Sequence, residues 1–187
     1  MPKPDDKRKR SYDGDMMDNG RKAEDAVFMF LMEIKSIDQI DDLRNVPDWQ
    51  SRDVDFCVWR NGEPEFIEVK SDESIGRSPN ILFEFARINH TSIDHLARFG
   101  WSLFSLADRF AIWSPITKVV FMVGATDLRD GFNRYVRDAR KNTRIVPIPT
   151  DEIKTTIVFL VPCDYVTHNR YEPVGNGWKY THFERTK

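Results

Sequence analysis

SRDVDFCVWRNGEPEFIEVKSD, residues 51–72, holds two apolar runs around an Asn-Gly step. Aspartates sit inside the first run, and Glu-Val-Lys closes the second. In an extended chain successive side chains point to opposite faces. Val54, Phe56 and Val58 therefore share one face, and Asp53, Asp55 and Cys57 share the other. In the second run Phe66, Glu68 and Lys70 lie together, opposite Ile67 and Val69. Asn61-Gly62 is a hairpin signal, because both residues tolerate the positive φ that a two-residue turn needs. The stretch thus predicts strands over about 54–60 and 65–70, paired through that turn. Pairing brings Asp55 toward Glu68, with Lys70 two residues beyond.

Two neighbouring carboxylates repel one another, and each resists leaving water. A hard divalent cation, Mg²⁺ or Mn²⁺, relieves both, since it prefers carboxylate oxygen, water and phosphate. A lysine beside it can orient an attacking water or steady a pentavalent phosphate. The residue set suits phosphodiester hydrolysis. It also suits a plain surface hairpin in which Glu68 and Lys70 form a solvated pair.

Upstream, residues 1–19 are polar and mixed in charge, and are expected to form a flexible arm. Its KRKR run either meets phosphate or is simply solvated. From Arg21 to about Ile40 the pattern is helical, with Val27, Phe30, Leu31 and Ile34 as one stripe. Glu24 lies three residues before Val27 and seven before Leu31, on that stripe rather than on the polar face. A carboxylate there needs a partner, unless it is a first-turn acid favoured by the helix dipole.

Downstream, RSPNILFEFARI (77–88) predicts a third strand, and RFAIWS with KVVFMVG (109–124) a second hairpin. TDLRDGFNRYVRDARK (126–141) predicts a helix with Leu128, Phe132 and Val136 facing inward. TTIVFLVP (155–162) predicts a last strand, and the tail to Lys187 is expected to be irregular. Helix, strands, helix and strand in that order give an α/β or α+β fold around one mixed sheet flanked by helices.

Three pieces of this chain, GRKAEDAVFMFL (20–31), RDVDF (52–56) and FIEVKSD (66–72), resemble the motif series of the PD-(D/E)xK nuclease superfamily. The likeness is to its small phage-type and Holliday-junction-resolvase-like endonucleases, and it spans about Gly20 to Arg129. SPNILFEFARI and GWSLFSLADRFAIW (100–113) resemble the later strands of that group. The resemblance implies a restriction-endonuclease-like core and a Mg²⁺- or Mn²⁺-dependent DNA hydrolase whose products carry 5′-phosphates. It makes Asp55 and Glu68 the metal ligands with the Val69 carbonyl, Lys70 the water-positioning cation, and Glu24 a further ligand. The proline of the superfamily name is absent, which leaves a choice between Asp53 and Asp55; the strand register favours Asp55. Asp53, Glu84 and Asp108 are then candidates to support the ligands from behind, or are local partners of other groups. The alternative is a non-catalytic nucleic-acid-binding or protein-interaction module that keeps the fold.

DNA contacts are sought in Arg77, on the loop after Lys70, and in Arg134, Arg137, Lys141 and Arg144, which share one helix face. The same charges also fit the ordinary outer face of an amphipathic helix. The aromatic run 99–113 offers either a base-stacking wall or core. The net charge of −2 leaves any phosphate attraction to such local patches. The two cysteines, Cys57 and Cys163, show no metal or disulfide spacing, which points to a reducing, cytoplasmic setting. No apolar run reaches membrane-spanning length. Symmetric cutting of two strands would call for a homodimer.

Overall fold

The computed structural model describes residues 7–89, 97–139, 144–149, 154–175 and 177–187. Helix α1 (Lys7–Met32) leads to strand β1 (Gln39–Asp42) and a short helix α2 (Pro47–Gln50). The opening stretch forms β2 (Phe56–Arg60) and β3 (Glu63–Ser71), antiparallel and in register Phe56 to Ile67. Asn61 and Gly62 between them have φ of 52° and 82°, the left-handed pair expected of the turn. Next come β4 (Asn80–Asn89), β5 (Ala97–Phe99), α3 (Trp101–Phe104), β6 (Arg109–Trp113) and β7 (Val120–Gly124). Helix α4 (Ala125–Ala139), β8 (Ile145–Pro149), β9 (Lys154–Pro162), β10 (His168–Val174) and β11 (Gly177–Phe183) complete the chain.

The fold is α+β with a mixed sheet of seven strands, ordered β1-β2-β3-β6-β7-β10-β11. Among the described strands only β3 and β6 pair in parallel. The chain between them makes the crossover that a parallel pair requires. A second, antiparallel sheet runs β5-β4-β9-β8. The expectation of one sheet is thus corrected to two. Both edges of β3 are already taken by β2 and β6, so β4 cannot join it and pairs with β9 instead.

Both faces of the large sheet are covered. On β6, Ala111 and Trp113 face α1, while Phe110 and Ile112 face the second sheet with α3 and α4. On β7, Val120 and Met122 face α1, and Phe121 and Val123 the other way. Two-sided burial explains why these strands read as unbroken apolar runs. Helix α1 contributes Ala23, Val27, Phe30 and Leu31 to its layer, all buried.

Other boundaries move for physical reasons. The helical pattern continues past Met32 because Ile34, Ile37 and Ile40 still pack on the α1 layer at a spacing of three, yet the backbone turns there and enters β1. At the other end the backbone is helical from Lys7, where an irregular arm was expected. Once the buried half is nucleated, adding turns costs little. On α4 the inward residues are Leu128, Phe132 and Tyr135, with Val136 36% exposed. The tail forms the hairpin β10–β11, not an irregular segment; its exposed edge tolerates polar residues, which hides the alternation.

Gly100 shows how closely α3 approaches β4. A Cβ there would lie 2.2 Å from the Glu84 carbonyl oxygen and 2.7 Å from Glu84 Cγ. Gly100→Ala is expected to cost about 1–3 kcal/mol through this overpacking, read as a lower urea midpoint with an unchanged slope.

Candidate active site

β2 and β3 part company at the acidic residues. The Asp55 N–H donates to the Ile67 carbonyl at 2.9 Å, but the Asp53 N–H turns away to Gln50 at 3.2 Å. Asp53 has φ of 50°, a left-handed conformation that takes the chain out of the strand. A strand residue's N–H and C=O point toward the same neighbour. Val69 N–H is met by Asp55 Oδ2 at 2.7 Å, while its carbonyl faces the opened ladder.

Because Phe56 pairs with Ile67, Asp55 and Glu68 fall on the same face, close enough for the Asp55 charge to raise the Glu68 carboxyl. Lys70 forms an ion pair with Glu68. Glu68 is only 4% exposed. Burial, helped by the Asp55 charge and opposed by Lys70, pushes its carboxyl up to about 8. Burial raises Asp55 too, against the Val69 N–H and Lys70. Desolvation pulls Lys70 down, but Glu68, Asp53 and Asp55 outweigh it and hold the ammonium charged.

A cleft of about 500 Å³ opens beside this pair, lined by Glu24, Asp53, Asp55 and Glu68 on one part and Arg21, Asp25, Arg44, Asn45 and Gln50 on the other. Glu24 is raised by burial and by the Asp55 charge, and lowered by Arg44 and Lys70. Arg44 is fastened by Asp42 (Nε to Oδ1 2.9 Å, Nη2 to Oδ2 2.7 Å) and Asp25 (2.7 Å). Its Nη1 lies 3.8 Å from Glu24.

Asp55, Glu68 and Glu24 therefore line one cleft, and Lys70 adjoins it through its ion pair with Glu68. Asp53 borders the cleft, and its charge acts on Glu68 and Lys70. Glu84 is buried and tied to Arg87 at 2.7 Å, and Arg87 in turn feels Asp53 and Glu68. Asp108 does something else: it is exposed, and its Oδ2 accepts the Phe66 N–H at 2.8 Å, which secures the start of β3 against β6.

The proposed DNA contacts do not gather here. Arg77 bonds the Glu73 carbonyl at 2.9 Å, and Arg134 bonds the Tyr165 carbonyl at 3.0 Å. Arg137 and Arg144 are exposed on the surface, and neither lines the cleft. Lys141 lies outside the described residues. Arg44 and Arg87 were not among the candidates: Arg44 gathers Asp25 from 19 residues away, and Arg87, though paired with nearby Glu84, meets the charges of Asp53 and Glu68 only through the fold. No protein-family model matches the chain, and neither a curated protein nor a solved structure does. No described helix is long and apolar enough to cross a membrane.

The donor set suits a hard divalent cation. Every candidate ligand is an oxygen, and Asp55 and Glu68 share a face where such an ion would relieve the repulsion between them. Among the described residues no three His, Cys, Asp or Glu side chains are already drawn into a metal-holding group; Lys70 and Arg44 engage Glu68 and Glu24 instead.

These shifts carry a sign. Glu68, Asp55 and Glu24 all hold protons more tightly folded than unfolded, so the native state binds more protons and stability falls as pH rises. For Glu68 the window runs from its ordinary value near 4.5 to about 8. The metal-free protein should melt at a lower temperature at pH 8 than at pH 5. Mg²⁺ should raise the melting temperature more at pH 8, and Glu68→Gln should flatten the slope. A melting temperature that climbs across this range and ignores Mg²⁺ contradicts the reading.

Proposed function

We propose that the chain is a Mg²⁺- or Mn²⁺-dependent nuclease that hydrolyses DNA phosphodiester bonds in this cleft. The observation that carries the reading is the placing of Asp55 and Glu68 on one face beside the cleft, with Lys70 paired to Glu68, at the point where the β2–β3 ladder opens. Asp55, Glu68 and the Val69 carbonyl would hold the cation, with Glu24 reaching it from α1. When bound, the cation supplies positive charge against the phosphate oxygens and acidifies the attacking water.

The chain's own groups do the rest. Lys70 Nζ, kept charged by its acidic neighbours, donates to the attacking water or to a non-bridging phosphate oxygen. Glu68 holds Lys70 through their ion pair, and as a carboxylate it would be one of the groups holding the cation. Asp55 is fixed by the Val69 N–H, so it does not reorient during the reaction. Water attacks phosphorus in line, the bond to O3′ breaks, and O3′ leaves with a proton. The products are a 3′-hydroxyl and a 5′-phosphate.

The runner-up, DNA binding without chemistry, draws on the pairing of Glu68 with Lys70 in place of a gathered metal site. One assay separates them. Plasmid, single-stranded and branched DNA are incubated with Mg²⁺ or Mn²⁺ and the wild-type protein, Asp55→Ala or Lys70→Ala. Metal-dependent cutting by the wild type alone, with 5′-phosphate ends, supports the nuclease. Equal cutting by all three proteins refutes this site. Metal-free DNA binding that survives Glu68→Gln, with no cutting, favours the runner-up.

A further inference from the structure

Helix α3 and the two residues after it reach three parts of the candidate site at once. Trp101 is 5% exposed, and the Lys70 Nζ lies 5.6 Å from its ring centroid. A charged ammonium over an indole face is attracted by the ring quadrupole, more so when water is excluded. Trp101 is itself braced edge-on by Phe110, with centroids 4.8 Å apart at 73°. The next residue, buried Ser102, accepts the Glu84 N–H at 3.0 Å through its Oγ. At the end of the helix Ser105 Oγ donates to the Asp53 carbonyl at 2.7 Å, and the Leu106 N–H donates to the Arg52 carbonyl at 3.0 Å.

So short a helix has little stability of its own, and its last carbonyls need partners. Arg129 of α4 supplies them. Its Nε donates to the Ser102 carbonyl and its Nη2 to the Ser105 carbonyl, each at 2.8 Å. The guanidinium lies 6.0 Å from the Phe110 ring centroid, and burial lowers its pKa. Its two hydrogen bonds fix the carbonyls on either side of the end of α3.

We infer that α3 is a clasp that positions Lys70: Trp101 roofs the ammonium, and Arg129 fastens the clasp from α4. Trp101 and Arg129 are positioning residues, since neither reaches the cleft. The inference rests on the reading of Lys70 as the cation beside the reacting phosphate. It adds that the orientation of that cation is set from α4, across the second core layer. Without Trp101 the Glu68 ion pair alone would hold the end of the four-carbon Lys70 stem.

The test reads Lys70 directly, apart from catalysis. Metal-free wild-type protein, Trp101→Phe, Trp101→Leu and Arg129→Gln are exposed briefly to an amine-reactive methylating reagent. Labelling of Lys70 is followed by peptide mass spectrometry, with melting curves to confirm that each variant is folded. Trp101→Leu and Arg129→Gln should label Lys70 roughly threefold to thirtyfold faster, the range expected for loss of a shielded cation–π contact. Trp101→Phe, which keeps an aromatic face, should stay near wild type. In the cleavage assay kcat should fall in the same order with KM little changed. Unchanged Lys70 labelling in folded Trp101→Leu and Arg129→Gln overturns the clasp even if the wild type cuts DNA. Altered labelling in a protein that cuts nothing upholds the clasp and refutes the nuclease instead.

Discussion

Lys70→Ala is expected to slow Mg²⁺-dependent DNA cleavage by about 10²–10³-fold, the usual consequence of removing one preorganised donor from a developing charge. The fold should survive, because Lys70 is partly exposed and lies where β3 leaves the core. Loss of the ammonium also leaves buried Glu68 without its ion-pair partner. The metal-free variant should therefore hold the Glu68 proton more tightly still. Metal affinity should hold or rise, since the competing cation is gone. This separates Lys70 from the ligands: Asp55→Ala should lose cleavage and metal affinity together. Gel-based cleavage rates and calorimetric metal titration make the comparison. A Lys70→Ala protein that cuts at the wild-type rate removes Lys70 from the mechanism.

Phe83→Ala is expected to be the most destabilising of the substitutions considered, by about 3–5 kcal/mol. Phe83 is fully buried in β4, and its ring stacks on Phe132 of α4 with centroids 4.1 Å apart at 8°. It belongs to the layer that joins the second sheet and α4 to the large sheet. Truncation opens a cavity at that junction and removes the stack together. Urea denaturation should show a lower midpoint. Because the same layer carries α3, the variant should also label Lys70 faster at sub-denaturing urea. A loss below about 1 kcal/mol would mean that the two sheets are not held through this ring.

Much of this was legible because it is local. The Asn-Gly turn sets the register of β2 and β3, and the register alone places Asp55 beside Glu68. Glu24 was marked by its place on the apolar stripe, and it does reach the cleft. Asp53 and Asp55 both border the cleft; what separates them is one backbone conformation, the left-handed Asp53, which no periodicity announces. Arg44 could not be found from spacing, since Asp25, Asp42 and Phe56 converge on it from three elements.

The aromatic run 99–113 is only in part core. Trp101 and Phe110 are buried, whereas Phe99 and Phe104 are 70% and 51% exposed. The tail was misread because strands with one wet face and few apolar residues resemble coil. Two features of it were nonetheless informative: the Gly-Asn-Gly step at 175–177, and aromatic residues on both sides.

The central claim is that Asp55 and Glu68, joined by Glu24, form the seat of a divalent cation beside Lys70. Calorimetric titration of Mn²⁺ into the wild type, Asp55→Ala, Glu68→Gln and Lys70→Ala at pH 8 tests it most directly. Saturable binding by the wild type and Lys70→Ala, lost in Asp55→Ala and Glu68→Gln, is the result the account predicts. Absence of binding in the wild type, or equal binding by all four proteins, contradicts it.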